Sequence, residues 1–98
     1  MLKGSQRKYL RGVAHGLKPL VQVGKEGVSV SVLDAIDRAL VAHELIKIQI
    51  MADREDRQTM IGDIERGASC ECAGAIGKMA IFYRRQTDPE KRKINLPS

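Results

Sequence analysis

Two glycines that flank a lysine and a glutamate form the stretch of this sequence best suited to chemistry. The stretch reads Gly24-Lys25-Glu26-Gly27, and it lies between the apolar run "PLVQV" and a serine. Because glycine has no Cβ, the backbone of such a loop can approach a phosphate closely. A helix beginning after the loop would add free N–H groups and the positive end of its dipole. The spacing is compatible with a phosphate contact, although a plain strand-to-helix turn is the simpler interpretation of the motif alone.

The GxxG spacing is the one with which KH domains clamp the backbone of single-stranded RNA. The stretch lacks the length and the Lys-Ser or Lys-Thr ending of a nucleotide-binding P-loop. Lys25 would add a mobile positive charge, whereas the carboxylate of Glu26 would repel a phosphate. We therefore expect the Glu26 side chain to turn away from a bound phosphate.

The charges of the chain are divided between basic ends and an acidic middle. The net charge of +5 arises from +6 over residues 1–25, −5 over residues 26–77 and +4 over residues 78–98. If both ends fold onto one side, a polyanion would be bound on that side only. Besides the loop, charge alone suggests eight contact residues: Lys3, Arg7, Lys8, Arg11, Lys18, Lys78, Arg84 and Arg85.

Other chemistry has little support in the sequence. Cys70 and Cys72 are one residue apart, which suits a structural disulfide poorly, and neither histidine lies near them to complete a zinc site. We interpret both as small residues on a strand face in a reducing compartment. His15 and His43 form no recognisable pattern with a nucleophile and a carboxylate. We therefore expect no catalytic residue, no metal and no cofactor.

The hydrophobic periodicity predicts three helices that would help to position these residues. Apolar residues recur at helical spacing over residues 5–15, about 29–43 and 54–66. Each run has a candidate N-cap, namely Ser5 for the first, Ser29 or Ser31 for the second, and Asp53 for the third. Gly67 is the predicted end of the third helix.

Four strands are predicted between and after these helices. The first is "PLVQV", and "ELIKIQIMA" alternates with Ile46, Ile48 and Ile50 on one buried face. The runs "CECAGAI" and "MAIFYR" flank a two-residue hairpin turn that begins with Gly77. Because Phe82 and Tyr83 are adjacent on a strand, we expect one ring to pack inward and the other to face solvent.

The order of these elements predicts a single α/β domain with a four-stranded mixed sheet. Strand–helix–strand repeats give parallel pairing, and the closing hairpin adds an antiparallel edge. We expect helices to cover one face of the sheet and the other face to be open or only partly covered. The domain would span residues 1–98, with residues 86–98 as a polar, partly docked tail. The apolar runs are too short to span a bilayer and no secretory signal is recognisable, so a cytoplasmic protein is expected.

Several of these stretches together resemble the CRM domain, which is named for chloroplast RNA splicing and ribosome maturation. The resemblance rests on "LRGVAHGLKPLVQVGKEGVS", "ALVAHELIKIQI" and "IGKMAIFYRR", and it covers the chain from about Lys3 to Pro97. With nothing else on the chain, the sequence is similar to the stand-alone bacterial members of the YhbY type.

The resemblance implies an α-β-α-β-α-β-β fold similar to the C-terminal domain of translation initiation factor 3. It also implies a non-enzymatic association with ribosomal RNA in precursors of the large ribosomal subunit, and a role in their assembly. The RNA contacts that it implies are the loop from Gly24 to Gly27 and the neighbouring basic surface. We expect a monomer. An alternative stays open: a protein-interaction module whose open sheet face or acidic helices dock a ribosomal protein or another assembly factor.

Overall fold

The fold is built from three α-helices and four β-strands in the predicted order. The computed structural model describes residues 1–97. Its elements are α1 (Gly4–Ala14), β1 (Pro19–Val23), α2 (Val30–His43), β2 (Leu45–Ile50), α3 (Arg54–Ala68), β3 (Glu71–Ile76) and β4 (Met79–Tyr83), with a short 3-10 helix (Pro89–Lys91) in the tail. Within this described part of the chain, no helix has the length and apolar character needed to cross a membrane.

The strands form one mixed sheet in the order β1-β2-β4-β3. β1 is parallel to β2, whereas β4 is antiparallel to both β2 and β3. The predicted fold class is therefore confirmed, since the crossover through α2 gives the parallel pair and the hairpin gives the antiparallel one. Gly77, with φ +58, has the positive φ that the first position of the predicted hairpin turn requires. Val23 pairs with Ile50, and Gln49 pairs with Met79. The C-terminal ends of β1 and β2 therefore lie at the same end of the sheet as the β3–β4 turn.

The larger core lies between one face of the sheet and the helices α2 and α3. Ile46, Ile48 and Ile50 alternate along β2 and are fully buried on this face, as predicted. The same cluster holds Ile36, Leu40, Met60, Ile64 and Phe82. Each large apolar side chain buried here contributes about 1.5–3 kcal/mol to stability.

Two helix boundaries differ from the predictions. Lys3, not Ser5, is the N-cap of α1, because the Oε1 atom of Gln6 accepts a hydrogen bond from the Lys3 N–H at 2.9 Å and extends the helix backwards. Gly67 does not end α3, which continues to Ala68. A Cβ on Gly67 would lie 2.8 Å from the Leu33 side chain, so this glycine allows α2 and α3 to pack closely.

The second face of the sheet is covered in part, by α1. Leu10 and Ala14 of α1 pack against Leu45, Ile81 and Tyr83 in a smaller core. Helices therefore lie on both faces, and the second face is partly covered, one of the two states that the sequence left open. The uncovered part lies towards β1, where the alternation of side chains places Leu20, Gln22, Lys47 and Gln49.

The tail crosses the same face beside α1. Ile94 and Leu96 pack against the smaller core, together with Leu2 from the other end of the chain. The amide Nε2 of Gln6 donates a hydrogen bond to the carbonyl oxygen of Pro97 at 2.9 Å. The two ends of the chain are therefore joined to each other as well as to the sheet.

Glu44 fixes the tail through its side chain. This residue ends α2 with φ +62 and is only 1% exposed. Its Oε1 accepts hydrogen bonds from the N–H groups of Lys93 and Ile94, and its Oε2 accepts one from Gln86 at 3.0 Å. Burial by itself raises the pKa of the Glu44 carboxyl, but these bonds and the charge of Arg92 outweigh burial, so the pKa lies below its usual value.

Candidate nucleic-acid interface

The loop Gly24–Gly27 leaves the sheet at the end of β1 and is anchored on both sides. Val23 is fully buried, and its carbonyl oxygen accepts a hydrogen bond from the Met51 N–H at 2.8 Å. After the loop, Val28 packs against the larger core. Within the loop, the Gly27 N–H donates to the Gly24 carbonyl oxygen at 3.1 Å and closes a turn. The fold therefore holds the loop at its entry, its exit and its centre.

Different structural reasons explain why glycine occupies positions 24 and 27 of the loop. Gly27 has φ +93, a conformation that side chains with a Cβ rarely adopt, so the backbone alone favours glycine there. Gly24 has no such φ, and a Cβ on it would make only an ordinary contact, 3.6 Å from the Oε2 atom of Glu26. Neither backbone conformation nor internal packing requires glycine at position 24. The missing Cβ leaves the peptide open to close approach from outside the chain.

The N-terminus of α2 begins directly after the loop. Ser29 is its N-cap, as one of the two predicted alternatives, and its Oγ accepts a hydrogen bond from the Val32 N–H at 3.2 Å. The Oγ atom of Ser31 lies 3.1 Å from that of Ser29. The first turn of α2 contains no acidic residue, so no side chain of that turn neutralises the positive end of the helix dipole. This end suits an anion better than an N-terminus with its own carboxylate would.

The Glu26 side chain folds back over the loop. Its Oε2 atom lies over Gly24, and it forms no ion pair with Lys25 or any other residue in the described range 1–97. A phosphate that approaches Gly24 would therefore meet this carboxylate unless the side chain rotates. Because Glu26 is exposed, such a rotation has no packing to disrupt.

Lys25 and Lys78 line one open cleft beside the loop, with a volume of about 590 Å³. Met51 forms part of the apolar wall of this cleft, and the start of α3 contributes both acidic and basic side chains. The backbone of Lys78 is fixed beside β2, because its carbonyl oxygen accepts a hydrogen bond from the Ile50 N–H at 2.7 Å. Of the predicted basic residues outside the loop, Lys78 is the one that lines this cleft.

The arginines of α1 are bonded to β3. Arg7 donates to the carbonyl oxygen of Cys72 and to the Glu71 carboxylate, the latter at 2.8 Å. Arg11 donates to the Ala73 carbonyl oxygen at 3.1 Å. A Cβ on Gly74 would lie 2.6 Å from the Arg11 side chain, which explains the glycine in the middle of β3. These arginines hold α1 on the sheet, while their charge stays on this face.

The predicted residues that follow β4 lie far from the loop. Because Tyr83 pairs with Leu45 at the start of β2, Arg84 and Arg85 are at the opposite end of the sheet. Arg84 donates hydrogen bonds to the Asp37 carboxylate at 2.8 Å and to the Ala68 carbonyl oxygen at 2.7 Å, and so joins α2 to α3. The remaining predicted residues are exposed: Lys3, Lys8, Lys18 and Arg85.

Parts of both basic ends of the chain, α1 and the tail, lie on one face of the sheet, whereas Arg84 bonds to α2 and α3. α1 and the tail share the smaller core on the second face. The helices α2 and α3, which belong to the acidic middle of the sequence, cover the opposite face. The structure therefore meets the condition under which the molecule would present a basic side and an acidic side.

The aromatic rings of β4 are both covered. Phe82 is fully buried in the larger core and Tyr83 is 6% exposed in the smaller one. The prediction that one of them faces solvent is wrong, because α1 and the tail cover the second face where Tyr83 lies. Among residues 1–97 the exposed ring is Tyr9 on α1, at 42%, beside Lys8.

Both thiols pack against the larger core. Cys72 lies on β3, as interpreted, whereas Cys70 precedes the strand, which begins at Glu71. Burial, together with the nearby Glu65, raises the pKa of Cys70 to about 12, and burial also raises the pKa of Cys72. Both are therefore protonated thiols at neutral pH, unsuited to nucleophilic attack. No cluster of three or more potential metal-ligating side chains occurs in the described part of the chain.

Sequence reasoning missed Glu44 and Arg92. Both act at the tail: Glu44 accepts three of its N–H groups, and the Nε atom of Arg92 donates to the carbonyl oxygen of Gln86 at 2.8 Å. One signal was present, because "HELIK" leaves a single residue, Glu44, between α2 and β2.

The sheet order, the helices on both faces and the glycine loop before α2 define a small α/β domain of the kind that the resemblance implies. The model of the CRS1 / YhbY (CRM) domain family matches residues 2–84. The chain therefore belongs to the CRS1 / YhbY (CRM) domain family.

Relatives of similar length support this membership. The probable RNA-binding protein YqeI of Bacillus subtilis is 35% identical over 98 residues, which cover 99% of this chain and 100% of the relative. An RNA-binding protein of Haemophilus influenzae is 39% identical over 97 residues, or 98% of this chain and 95% of the relative. The solution structure of a hypothetical protein from Staphylococcus aureus superposes with a TM-score of 0.84 at 31% identity, covering 99% of this chain and 100% of that one.

Proposed function

We propose that this chain is a non-enzymatic, monomeric RNA-binding protein that acts in the cytoplasm on precursor large-subunit ribosomal RNA during ribosome assembly. The observation that carries the proposal is that neither the packing nor the backbone conformation of the fold requires glycine at position 24. Family membership supports it, because relatives that match almost the whole chain are named RNA-binding proteins. The basic face formed by the two ends of the chain gives such a polyanion a surface to bind.

In this proposal the loop contacts the RNA backbone directly. A phosphate would lie against Gly24 and Gly27, with the N-terminus of α2 as the donor of N–H groups. Lys25 and Lys78 line the cleft beside the loop, together with Arg57 and the carboxylates of Asp53 and Asp56, and the two lysines would neutralise neighbouring phosphates of the same backbone. Glu26 would rotate away from Gly24 when the phosphate arrives. These contacts do not read bases, so selectivity for an RNA would come from its shape.

The remaining basic residues would act over the second face. Lys3, Lys8 and Lys18 are exposed, so they can pair with phosphates directly. Arg7, Arg11 and Arg84 are bonded within the protein and would contribute mainly through their charge. The expected contact surface therefore runs from the loop across the face that carries α1 and the tail.

The affinity for RNA should fall steeply with salt concentration. If Lys25 of the loop and Lys78 of the β3–β4 turn neutralise two phosphates, the log-log slope should be about −1.4 or steeper, since each phosphate on a single strand contributes about −0.7. Fluorescence anisotropy of a labelled fragment of precursor large-subunit RNA across a salt series measures this slope. A variant with Arg38→Ala, which removes one exposed charge from the acidic side, should keep the slope unchanged. A flat salt response of the wild type would contradict phosphate binding.

Glu26→Gln should strengthen RNA binding. At roughly 6 Å in water, a carboxylate and a phosphate repel each other by about 0.7 kcal/mol, so removing the charge should raise the affinity about threefold. The same anisotropy assay measures the effect, with Glu55→Gln on α3 as the control for loss of one negative charge. Unchanged or weaker binding by the Glu26 variant would contradict a phosphate within roughly 6 Å of this carboxylate.

A protein-interaction module is the second candidate function. It is favoured by Leu20, which is 54% exposed on the edge strand β1, and by Leu17 beside it in a mainly apolar groove. The two candidates differ in what holds the protein on the pre-subunit. Sedimentation of cell extract with and without nuclease separates them, because co-sedimentation that survives removal of exposed RNA indicates a protein partner.

A further inference from the structure

A polar cleft of about 480 Å³ lies at the end of the sheet opposite the loop. It is bounded by the start of α1, the end of β4 and the tail. Its polar lining consists of Gln6, Tyr83, Arg85, Arg92 and Asn95. Among the described residues that line it, none carries a carboxylate. The polar lining of the cleft therefore consists of two guanidinium groups, two amides and a phenol.

Both guanidinium groups retain free donors. Arg92 uses its Nε atom to donate to the Gln86 carbonyl oxygen at 2.8 Å, which orients the side chain and leaves its terminal nitrogens unbonded within residues 1–97. Arg85 is exposed and forms no hydrogen bond or ion pair with its own chain over the same range. Planar guanidinium groups with free N–H pairs match the oxygens of a phosphate.

Glu44 positions the cleft without occupying it. Its oxygens accept the N–H groups of Gln86, Lys93 and Ile94, which fixes the stretch of tail that carries Arg92. Its negative charge offsets part of the charge of Arg92, but its oxygens are already bonded to the backbone and lie beneath the surface. The surface of the cleft therefore keeps its donor character, and Glu44 is a positioning residue.

We propose that this cleft binds a phosphate of an RNA backbone, as a second contact point in addition to the loop. This inference rests on the proposed function, and it adds Arg92 and the folded tail to the interface. The cleft and α1 share the face onto which the basic ends of the chain fold. An RNA that follows this face from the loop would reach the cleft without crossing the acidic helices.

The two contact points are well separated. The length of β2 and a residue or two at each end lie between them, which amounts to roughly 25 Å at about 3.3 Å per residue. An RNA long enough to touch both binds the second point intramolecularly and gains affinity from it. A short oligonucleotide can occupy only one point at a time. The contribution of the cleft should therefore appear with long RNA and vanish with an oligonucleotide of a few nucleotides bound at the loop.

Arg85→Ala tests the cleft without disturbing the fold, because the side chain has no hydrogen-bond or ion-pair partner among residues 1–97. With a long single-stranded RNA at about 0.1 M salt, the affinity should fall about fivefold and the log-log salt slope should become shallower by about 0.7, the contribution of one phosphate. Arg38→Ala is the matched control, since it removes the same charge from an exposed arginine of α2 on the opposite side. Equal affinity of the Arg85 variant and the wild type would overturn the inference.

A titration with inorganic pyrophosphate, followed by amide NMR shifts of the full chain, tests the cleft independently of RNA. We expect saturable shifts at the amides of Tyr83, Arg85 and Arg92 that are lost in the Arg85→Ala variant. Absence of these shifts would contradict an anion site. If pyrophosphate binds there but RNA affinity is the same in variant and wild type, the cleft takes free phosphates and the RNA assignment is wrong. If the wild type binds no RNA at all, the proposed function itself fails.

Discussion

Replacing Gly24 by leucine should weaken RNA binding about tenfold or more, because the side chain would hold the phosphate away from the backbone donors and cost about 1.5–3 kcal/mol of charge-assisted hydrogen bonding. The fold should tolerate the change, since position 24 has no positive φ and an added Cβ meets only the Glu26 side chain. Fluorescence anisotropy gives the affinity, and circular dichroism with urea unfolding confirms the fold.

The choice of position 24 matters for this test. A substitution at Gly27 would strain the backbone at φ +93, so a loss of binding there would not separate contact from folding. Gly62→Ala on α3 is the matched control, because it adds a methyl group on the acidic side, where only the flexible Arg66 side chain lies close. RNA affinity should be unchanged in this control. Wild-type affinity in a folded Gly24→Leu variant would show that the loop is only a strand-to-helix turn and does not contact RNA.

Glu44→Gln should lower the free energy of unfolding at neutral pH by about 3 kcal/mol, because the amide replaces a buried carboxylate that accepts three backbone N–H groups. The NH2 group of glutamine would also place its own hydrogen-bond donors against the backbone N–H donors of the tail. Urea unfolding measures the change through the midpoint at constant slope. Glu90→Gln is the control in the exposed tail, where the expected change is within about 0.5 kcal/mol. Equal stability of both variants would show that Glu44 does not anchor the tail.

The contribution of Glu44 should depend on pH in a defined direction. Its pKa is lowered by folding, so the folded state favours the ionised form, and this stabilisation is complete above the usual pKa of 4.5. As the pH falls below that value towards the lower folded-state pKa, the stabilisation is lost. The difference in stability between wild type and Glu44→Gln should therefore shrink on acidification. A difference that stays constant down to acidic pH would contradict the ionised state.

The elements that the sequence predicted correctly are those with a strong local pattern. Ile46, Ile48 and Ile50 repeat with period two, and the hairpin has a glycine where a positive φ is needed. The N-cap of α2 was narrowed to Ser29 or Ser31 by the chemistry of capping, and the structure has Ser29. Such signals depend on neighbours in the chain, so one sequence is enough to read them.

What the sequence did not predict depends on contacts between distant residues. The burial of Tyr83 depends on α1 and on the tail, and the tail depends on Glu44, which lies about fifty positions before the residues that it binds. The role of Gly67 follows from the approach of Leu33 on another helix. No periodicity records such pairings. The spread of the basic residues between the two ends of the sheet has the same origin, because it follows from strand register.

The basic residues predicted from charge alone do not contribute equally to the proposed interface. Arg7, Arg11 and Arg84 looked equivalent to the lysines in the sequence, yet the structure uses them to hold α1 on β3 and α2 on α3. Lys25, Lys78 and Arg85 form no such side-chain hydrogen bond or ion pair within residues 1–97. We expect binding to depend most on this second group, and the structure rather than the sequence identifies it.

Crosslinking of the protein to RNA in living cells, followed by sequencing of the attached RNA, tests the central proposal most directly. We expect crosslinks to concentrate on large-subunit ribosomal RNA and to be enriched in precursor over mature molecules, and we expect Gly24→Leu to reduce them. Crosslinks that merely follow the abundance of each cellular RNA, or that are unchanged in the folded Gly24→Leu variant, would contradict it.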